Sequence, residues 1–281
     1  MTHEDRHDES PHRPAIVMVH GDFGDGYEAW GAACAQIGRR YRTIAVDRPG
    51  LGMTLPPDVR FTIASEAADL LQIPADMGLD SFHLAGHSYG GLIALEMAAQ
   101  QPERIRSLHL IEPPLLALLP EREDVKEMVR QIKVIQADHA RAGDEATTEA
   151  FFAMIGAGHV PERLRGTDEW DRLCQHASRF ARNEAASEYS STVVARLPAD
   201  MPVGLYSGGR SHPALRAIAQ ELARRLPRAR FTDVPTAGHA VQMTGEAFVE
   251  PLLSLVADAD EDWLRRTSTV ANSAGEERAL R

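Results

Sequence analysis

A five-residue turn, Gly86–Gly90 with the sequence GHSYG, separates an apolar strand from a helix rich in small residues. The strand covers residues 81–85, and the helix begins at residue 91. Such a sharp turn strains the backbone of its central residue and exposes that side chain, while glycines on both sides let strand and helix pass closely. The helix N-terminus also favours negative charge beside Ser88. The pattern predicts a nucleophilic serine at a strand end; an ordinary turn serine is the alternative.

Short apolar runs of buried-strand type alternate with helical stretches along most of the chain. The runs lie at 14–19, 43–46, 81–85, 107–111, 202–206 and 229–234, and helices are predicted around Trp30 and at 65–77, 91–98, 213–226 and 246–257. This alternation predicts an α/β fold in which about six mostly parallel strands are covered by helices on both faces. In such sheets the chemistry gathers at the carboxyl ends of the strands.

Strand patterns disappear between residues 116 and 198, where apolar residues recur at helical spacing. Helices are predicted there at 147–155, 168–180 and 184–194. We therefore predict a core formed by residues 14–115 and 199–260, a helical cap at 116–198, and flexible polar tails at 1–13 and 267–281. The name cap segment is used below for residues 116–198.

Charge and composition narrow the class of partner. The 281 residues carry a net charge of −11, which argues against nucleic acid and anionic membrane surfaces as partners. No apolar run approaches the ~20 residues that a membrane-spanning helix needs, and no leader peptide is recognisable before residue 14. The two cysteines, Cys34 and Cys174, suggest neither a disulfide framework nor a metal site. We predict a cytoplasmic protein that acts on a small molecule without metal or cofactor; its oligomeric state is left open, a homodimer included.

Four motifs in a fixed order carry a resemblance to a known family. They are an HGxxGxxxxW run at His20–Trp30, a DRPGLG turn at Asp47–Gly52, the GHSYGG turn at Gly86–Gly91, and AGH at Ala237–His239. Together they resemble the α/β-hydrolase family over about residues 14–257. The resemblance implies a Ser, acid, His triad in that chain order and an oxyanion hole of two backbone N–H groups. It also places a helical cap where the cap segment lies.

The chain departs from the family pattern in two respects. The hairpin that usually precedes the first parallel strand is expected to be missing, since few residues precede 14. The segment that usually carries the triad acid, 207–213, contains no carboxylate. Glu112, after the 107–111 strand and before two stiffening prolines, is the predicted acid, in the arrangement of zearalenone-lactonase-like serine hydrolases. A loop glutamate without a catalytic role is the alternative.

Each candidate residue has a predicted role. Ser88 attacks a carbonyl carbon, His239 acts as general base and then acid, and Glu112 orients the imidazole. The backbone N–H groups of Tyr89 and Asp22 are expected to form the oxyanion hole. The Asp22 carboxylate is predicted either to point outward or to contact a polar group of the substrate.

The predicted substrate pocket is mainly apolar. Phe23, Phe152, Met154 and Trp170 are expected to contact the substrate, although cap aromatics can equally form the core of the cap. The function predicted on this basis is metal-free hydrolysis of a small-to-medium carboxylic ester or lactone through an acyl-enzyme. Thioester hydrolysis, carbon–carbon bond hydrolysis and cofactor-free perhydrolase chemistry use the same groups and stay open. A hydrolase-like protein that only binds its ligand is the alternative from another class.

Overall fold

The computed structural model describes residues 2–4, 14–50 and 61–279, with side chains described from 14 to 267 within those ranges. In this part of the chain seven strands form one sheet: β1 (Thr2–Glu4), β2 (Ala15–Val19), β3 (Arg42–Val46), β4 (Phe82–His87), β5 (Ile105–Ile111), β6 (Val203–Gly208) and β7 (Ala229–Val234). The strand order is β1-β3-β2-β4-β5-β6-β7. Only β1 pairs antiparallel; the other six strands are parallel. The predicted α/β class with about six mostly parallel strands is confirmed.

One short strand precedes the parallel sheet, contrary to the expectation that both strands of the family hairpin are missing. Strand β1 pairs with β3 in a register that joins Thr2 to Val46 and Glu4 to Ile44. The outer edge of β3 offers unpaired backbone groups, which even a polar segment can satisfy. Because its three residues are polar, this strand could not be predicted from a run of apolar residues. Residues 5–13 of the predicted flexible tail lie outside the described residues, as do the last two residues of the predicted turn at 47–52.

Helices cover both faces of the sheet, and others belong to the cap segment. In the described ranges the helices are α1 (Gly26–Ile37), α2 (Ile63–Asp76), α3 (Tyr89–Gln100), α4 (Glu123–Met154), α5 (His159–Leu164), α6 (Asp168–Gln175), α7 (Ala177–Arg182), α8 (Pro213–Arg225) and α9 (Glu246–Ala279). Successive residues of β2 face opposite sides: Val17 and Val19 belong to the buried cluster that includes residues of α2, α3 and α8, whereas Ile16 and Met18 belong to the one that includes residues of α1 and α9. Burial on both faces explains why the strands are continuously apolar.

Local signals set several helix ends. The Asp25 carboxylate accepts a hydrogen bond from the Glu28 N–H at 2.8 Å and caps α1. Thr62 and Ser65 form a reciprocal capping pair at the start of α2. Gly78, two residues after the end of that helix, adopts a φ of 71°, a conformation that glycine reaches without strain.

The cap segment lies between β5 and β6 and contains α4–α7. Helix α4 consists of two helical stretches that meet at Gly143, where φ is 82°, and its second stretch includes most of the predicted 147–155 helix. The helix predicted at 184–194 is wrong: only a short 3₁₀ turn forms, at Ser191–Arg196. Glu184 instead bonds to the core, its N–H to the Phe61 carbonyl at 3.2 Å and its carboxylate to the Ile63 N–H at 2.8 Å.

Helix α9 continues to Ala279, whereas the closing helix was predicted to end near residue 257 and a flexible tail to begin at 267. Its polar residues pair with the sheet. Asp258 pairs with Arg230 at 2.6 Å, and Asp260 pairs with Arg106 at 2.8 Å. The closing helix therefore extends beyond the predicted end at residue 257, and its charged residues 258 and 260 contact the strands. The flexible tail at 267–281 stays a prediction.

Candidate active site

Ser88 lies between β4 and α3 in a strained backbone conformation, with φ 53° and ψ −127°. Its N–H donates to the carbonyl of Ile111 at 2.8 Å, which ties the turn to the neighbouring strand. A Cβ on Gly86 would lie 2.4 Å from the Gly90 carbonyl oxygen, and a Cβ on Gly90 would lie 2.3 Å from that of His20. Both glycines are therefore required for the close passage that presents the serine.

Glu112 follows β5 and is fully buried, also with a positive φ, of 46°. Its carboxylate accepts four hydrogen bonds. The donors are Ser207 Oγ at 3.0 Å, the Gly208 N–H at 2.8 Å, Ser211 Oγ at 2.5 Å and His239 Nδ1 at 2.7 Å. These donors offset the cost of burying the carboxylate. The segment 207–213 thus contributes hydroxyl and amide donors to the acid, a role that the sequence search for a carboxylate could not detect.

His239 follows β7 and is buried beside Ser88. Because a carboxylate only accepts, the Nδ1–H of His239 is the donor to Glu112, which leaves Nε2 as an acceptor. This Nε2 atom is buried and has no hydrogen-bond partner in the described part of the chain. His239 and Ser88 line the same cavity. The arrangement gives an imidazole whose tautomer and orientation suit a general base.

His87 packs against His239. The two ring centroids are 4.7 Å apart, and His87 Nε2 donates to the His239 carbonyl at 3.1 Å. Burial, followed by the proximity of His239, holds the pKa of His87 well below its ordinary value. A neutral His87 can support the backbone of His239 without adding a positive charge beside it.

The two predicted oxyanion donors flank the serine. Tyr89 is the first residue of α3, so its N–H has no acceptor within the helix. Asp22 lies in the loop after β2; a Cβ on the preceding Gly21 would lie 3.2 Å from Ser88 Cβ, which shows how closely this loop approaches. His20 shapes the loop, since its Nε2 accepts from the Arg48 N–H at 3.1 Å.

The Asp22 carboxylate does not point outward, so that alternative is wrong. It is 8% exposed and lies 2.9 Å from Asn183 Nδ2 and 3.4 Å from Arg48 Nη1. Burial raises the pKa of Asp22, and Arg48 opposes that rise. Arg48 in turn contacts Glu66, which also pairs with Arg179 of the cap segment at 2.9 Å. A buried charged cluster therefore connects core and cap.

The cavity over Ser88 is walled mainly by apolar side chains. They are Pro114, Met128, Ile132, Phe151, Met154, Ile155, Phe180, Ala186 and Leu215. Polar groups from Asp22, Gln136, Asn183 and Glu184 complete the wall. Asn183 and Glu184 were not predicted as site residues: Asn183 lies between two predicted helices, and Glu184 is the first residue of the helix predicted at 184–194.

Of the four residues predicted to contact substrate, Met154 lines the cavity. Phe23, Phe152 and Trp170 lie behind the wall: Phe23 packs on Phe151 with ring centroids 4.5 Å apart, and Phe152 lies 6.5 Å from Trp170. Adjacent residues of a helix point about 100° apart, so Phe151 takes the wall position instead of Phe152. These three side chains are not among the residues that line this cavity, and their contact with a substrate stays a prediction.

The described residues contain no cluster of three or more metal-ligating side chains and no helix long and apolar enough to cross a membrane. These findings concern the described ranges alone.

Comparison with known proteins identifies the family. The model of the alpha/beta hydrolase family matches residues 16–250, and the chain belongs to this family. A relative, N-formylmaleamate deformylase of Pseudomonas putida, is 36% identical over 102 residues, which cover 36% of this chain and 38% of that protein. The pimeloyl-[acyl-carrier protein] methyl ester esterase of Aeromonas hydrophila is 29% identical over 166 residues, covering 56% of this chain and 60% of that protein. The matches thus span less than two thirds of either relative.

Solved structures agree with this fold. The enol-lactonase of Burkholderia xenovorans superposes with a TM-score of 0.69 at 18% identity, covering 92% of this chain and 96% of that one. An esterase of Thermogutta terrifontis superposes with a TM-score of 0.67 at 20% identity, covering 95% of this chain and 93% of that one. At such identities the likeness concerns the fold alone.

Proposed function

We propose that this chain is a serine hydrolase that cleaves a carboxylic ester or lactone through an acyl-enzyme. One observation carries the proposal: the buried Glu112 carboxylate lies 2.7 Å from His239 Nδ1, and the other ring nitrogen of His239, Nε2, has no hydrogen-bond partner among the described residues. His239 lines the same cavity as Ser88. The relative named as a methyl ester esterase favours the same bond class.

The proposed reaction begins with acylation of the serine. Ser88 Oγ attacks the carbonyl carbon while His239 Nε2 takes its proton, and Glu112 stabilises the imidazolium that forms. The oxyanion accepts hydrogen bonds from the N–H groups of Tyr89 and Asp22, each worth ~3 kcal/mol of transition-state stabilisation. The C–O bond to the alcohol then breaks and the leaving oxygen takes the proton from His239. In a lactone this alcohol stays tethered to the acyl group.

Deacylation uses the same groups. Water donates a proton to His239 Nε2 and attacks the acyl carbon, and collapse of the second tetrahedral intermediate returns that proton to Ser88 and releases the carboxylic acid. The apolar wall suits an uncharged acyl chain of small to medium size, because burying it removes apolar surface from water.

Rates on p-nitrophenyl esters of increasing chain length, with a series of lactones alongside, test the proposal. Ser88→Ala is expected to lower kcat by at least ~10⁴-fold and to abolish labelling by a fluorophosphonate. Ser254→Ala, an exposed serine on α9, is the matched control and should behave like the unmodified protein. A folded protein that neither turns over esters or lactones nor reacts with the fluorophosphonate would contradict the proposal and favour a ligand-binding role.

A further inference from the structure

One end of the cavity is polar. Asn183 and Asp22 lie side by side there, with Asn183 Nδ2 donating to Asp22 Oδ1 at 2.9 Å. Asn183 is only 5% exposed. Its carbonyl oxygen, Oδ1, is buried and has no hydrogen-bond partner among the residues that the structure describes. A buried amide carbonyl without a donor costs stability, so its retention in a cavity wall points to a ligand that supplies the donor.

The orientation of this amide follows from its neighbours. Asp22 Oδ1 also lies 3.4 Å from Arg48 Nη1, which can only donate, so this oxygen acts as an acceptor. Asn183 must therefore present its NH₂ group to Asp22, and its carbonyl oxygen is left for another contact. A flipped amide would set two acceptors against each other.

The carboxylates around this end already have donors. Asp22 pairs with Arg48, Glu66 pairs with Arg48 and Arg179, and all four side chains are at least nine-tenths buried. The third carboxylate of the wall, Glu184, accepts a hydrogen bond from the Ile63 N–H at 2.8 Å. An anionic group would meet these carboxylates and the Asn183 carbonyl, and a cationic one would lose its hydration in a mainly apolar cavity whose carboxylates already accept from other donors. The site therefore favours a neutral hydrogen-bond donor.

From these observations we propose that Asn183 Oδ1 accepts a hydrogen bond from a neutral donor on the substrate, a hydroxyl or an amide N–H close to the reacting carbonyl. The inference rests on the proposed function and names its substrate class. Asp22 links the two features, because its N–H is the predicted oxyanion donor and its carboxylate holds Asn183. The donor group thus belongs on the acyl part, at the α or β carbon, while the chain beyond it meets apolar walls such as Met128 and Leu215.

Matched ester pairs test this inference. Each pair compares the p-nitrophenyl ester of a 2- or 3-hydroxybutyrate with its methyl ether, which keeps the oxygen but lacks the donor. The expected kcat/KM ratio of hydroxy to methoxy ester is about tenfold at one of the two positions. Asn183→Leu and Asn183→Ala should bring that ratio close to one; because each ratio is taken within one variant, any general loss of activity cancels.

Gln220→Leu, an exposed amide on α8, is the control and should keep the ratio of the unmodified enzyme. Should the leucine variant fail to fold, the smaller alanine variant carries the comparison. A ratio near one in the unmodified enzyme at both positions, or a ratio that survives both Asn183 substitutions, would overturn the inference.

Binding separates this inference from the proposed function. Titration calorimetry of the Ser88→Ala protein with the same pairs measures recognition without turnover. If the unmodified protein hydrolyses neither ester but Ser88→Ala binds the hydroxy ester about tenfold more tightly, and adding Asn183→Ala removes the difference, the proposed reaction fails and the donor site stands. Equal binding of both esters would refute the donor site, whatever the rates.

Discussion

At the scale of single residues, the acid is the least usual part of the site. Glu112 occupies a position after β5, and four donors hold its carboxylate in a fully buried place. The resemblance to the α/β-hydrolase family pointed to it: the segment that usually carries the acid, 207–213, offers no carboxylate, and Glu112 stands at the alternative position that the family implies. The structure adds the reason this segment can lack one: its hydroxyl and amide groups bond to Glu112 instead.

Replacing Glu112 by glutamine tests its role. The amide is nearly isosteric but carries no charge to stabilise the imidazolium of His239, and it can hold the wrong tautomer. We expect kcat for p-nitrophenyl butyrate to fall about 10³- to 10⁴-fold. The rate of ester hydrolysis under saturating substrate is the measurement, with a urea unfolding curve to verify folding.

Ser207→Ala is the companion variant, because it removes one of the four donors and leaves the charge in place. A loss of no more than about tenfold is expected, comparable with one neutral hydrogen bond. Full activity of the glutamine variant would show that another group orients His239.

Residues whose role depends on a tertiary neighbour escaped prediction. The direction of the Asp22 side chain is set by Arg48 and Asn183, which lie 26 and 161 positions away in the sequence. No local pattern encodes such a pairing. By contrast, the strained turn at Ser88 depends on glycines only two residues away, and this local requirement was visible in the sequence.

At the scale of elements, periodicity predicted the buried strands well and the polar segments poorly. Strands β2 to β7 were each anticipated within a few residues. Burial on both faces makes the inner strands such as β2 and β4 continuously apolar, whereas the edge strand β7 is largely exposed. The stretch 184–194 and the part of α9 just after residue 257 were misjudged for one reason: their polar groups bond to the core or the sheet instead of to water.

The contact between the loop before α1 and the cap segment should weaken at acidic pH. His176, between α6 and α7, accepts a hydrogen bond from the Gly24 N–H at 3.0 Å, which requires a neutral ring. Burial lowers the pKa of His176 from 6.5 to about 4. The unfolded chain therefore binds a proton that the folded chain does not, and this contribution to stability is lost as pH falls from above about 6.5 towards 4.

His176→Asn isolates the effect, because asparagine keeps an acceptor but does not titrate. We expect the unfolding free energy of the unmodified protein to drop more between pH 7 and pH 5 than that of the variant. Urea unfolding at both pH values is the measurement, and the other buried histidines contribute equally to both proteins. Identical drops would mean that this histidine already titrates normally in the fold.

At the scale of the whole molecule, the fold class and the approximate position of the site followed from sequence, because parallel strands bring their carboxyl ends to one edge. The mostly parallel sheet is confirmed, and the loop after β2, Ser88, Glu112 and His239 all follow strands at that edge. The identity of the side chains that line the cavity could not be predicted from the sequence. Which aromatic of the adjacent pair Phe151 and Phe152 lines it depends on helix rotation, which composition does not determine.

The contacts between α9 and one face of the sheet contribute to the stability of the whole fold. Between residues 258 and 263 the helix bonds to Arg230, Arg106 and Arg228, and Trp263 packs under the Arg106 guanidinium at 5.4 Å. Deleting residues 258–281 would leave the buried His83 and the half-buried Arg106 without Asp260. Exposed ion pairs contribute about 0–1 kcal/mol each, and an orphaned buried partner costs about 1–3 kcal/mol.

We therefore expect the chain ending at residue 257 to lose about 2–4 kcal/mol of unfolding free energy. The chain ending at Thr267 keeps every one of these contacts and should stay within about 0.5 kcal/mol of full length. Urea unfolding of the three proteins at pH 7 makes the comparison. Helix α9 packs against β5, β6 and β7 on the face opposite α3. If these contacts stabilise the sheet, the shortest chain unfolds at a lower urea concentration than the other two. Three equal unfolding curves would show that the part of α9 after residue 257 does not contribute to stability.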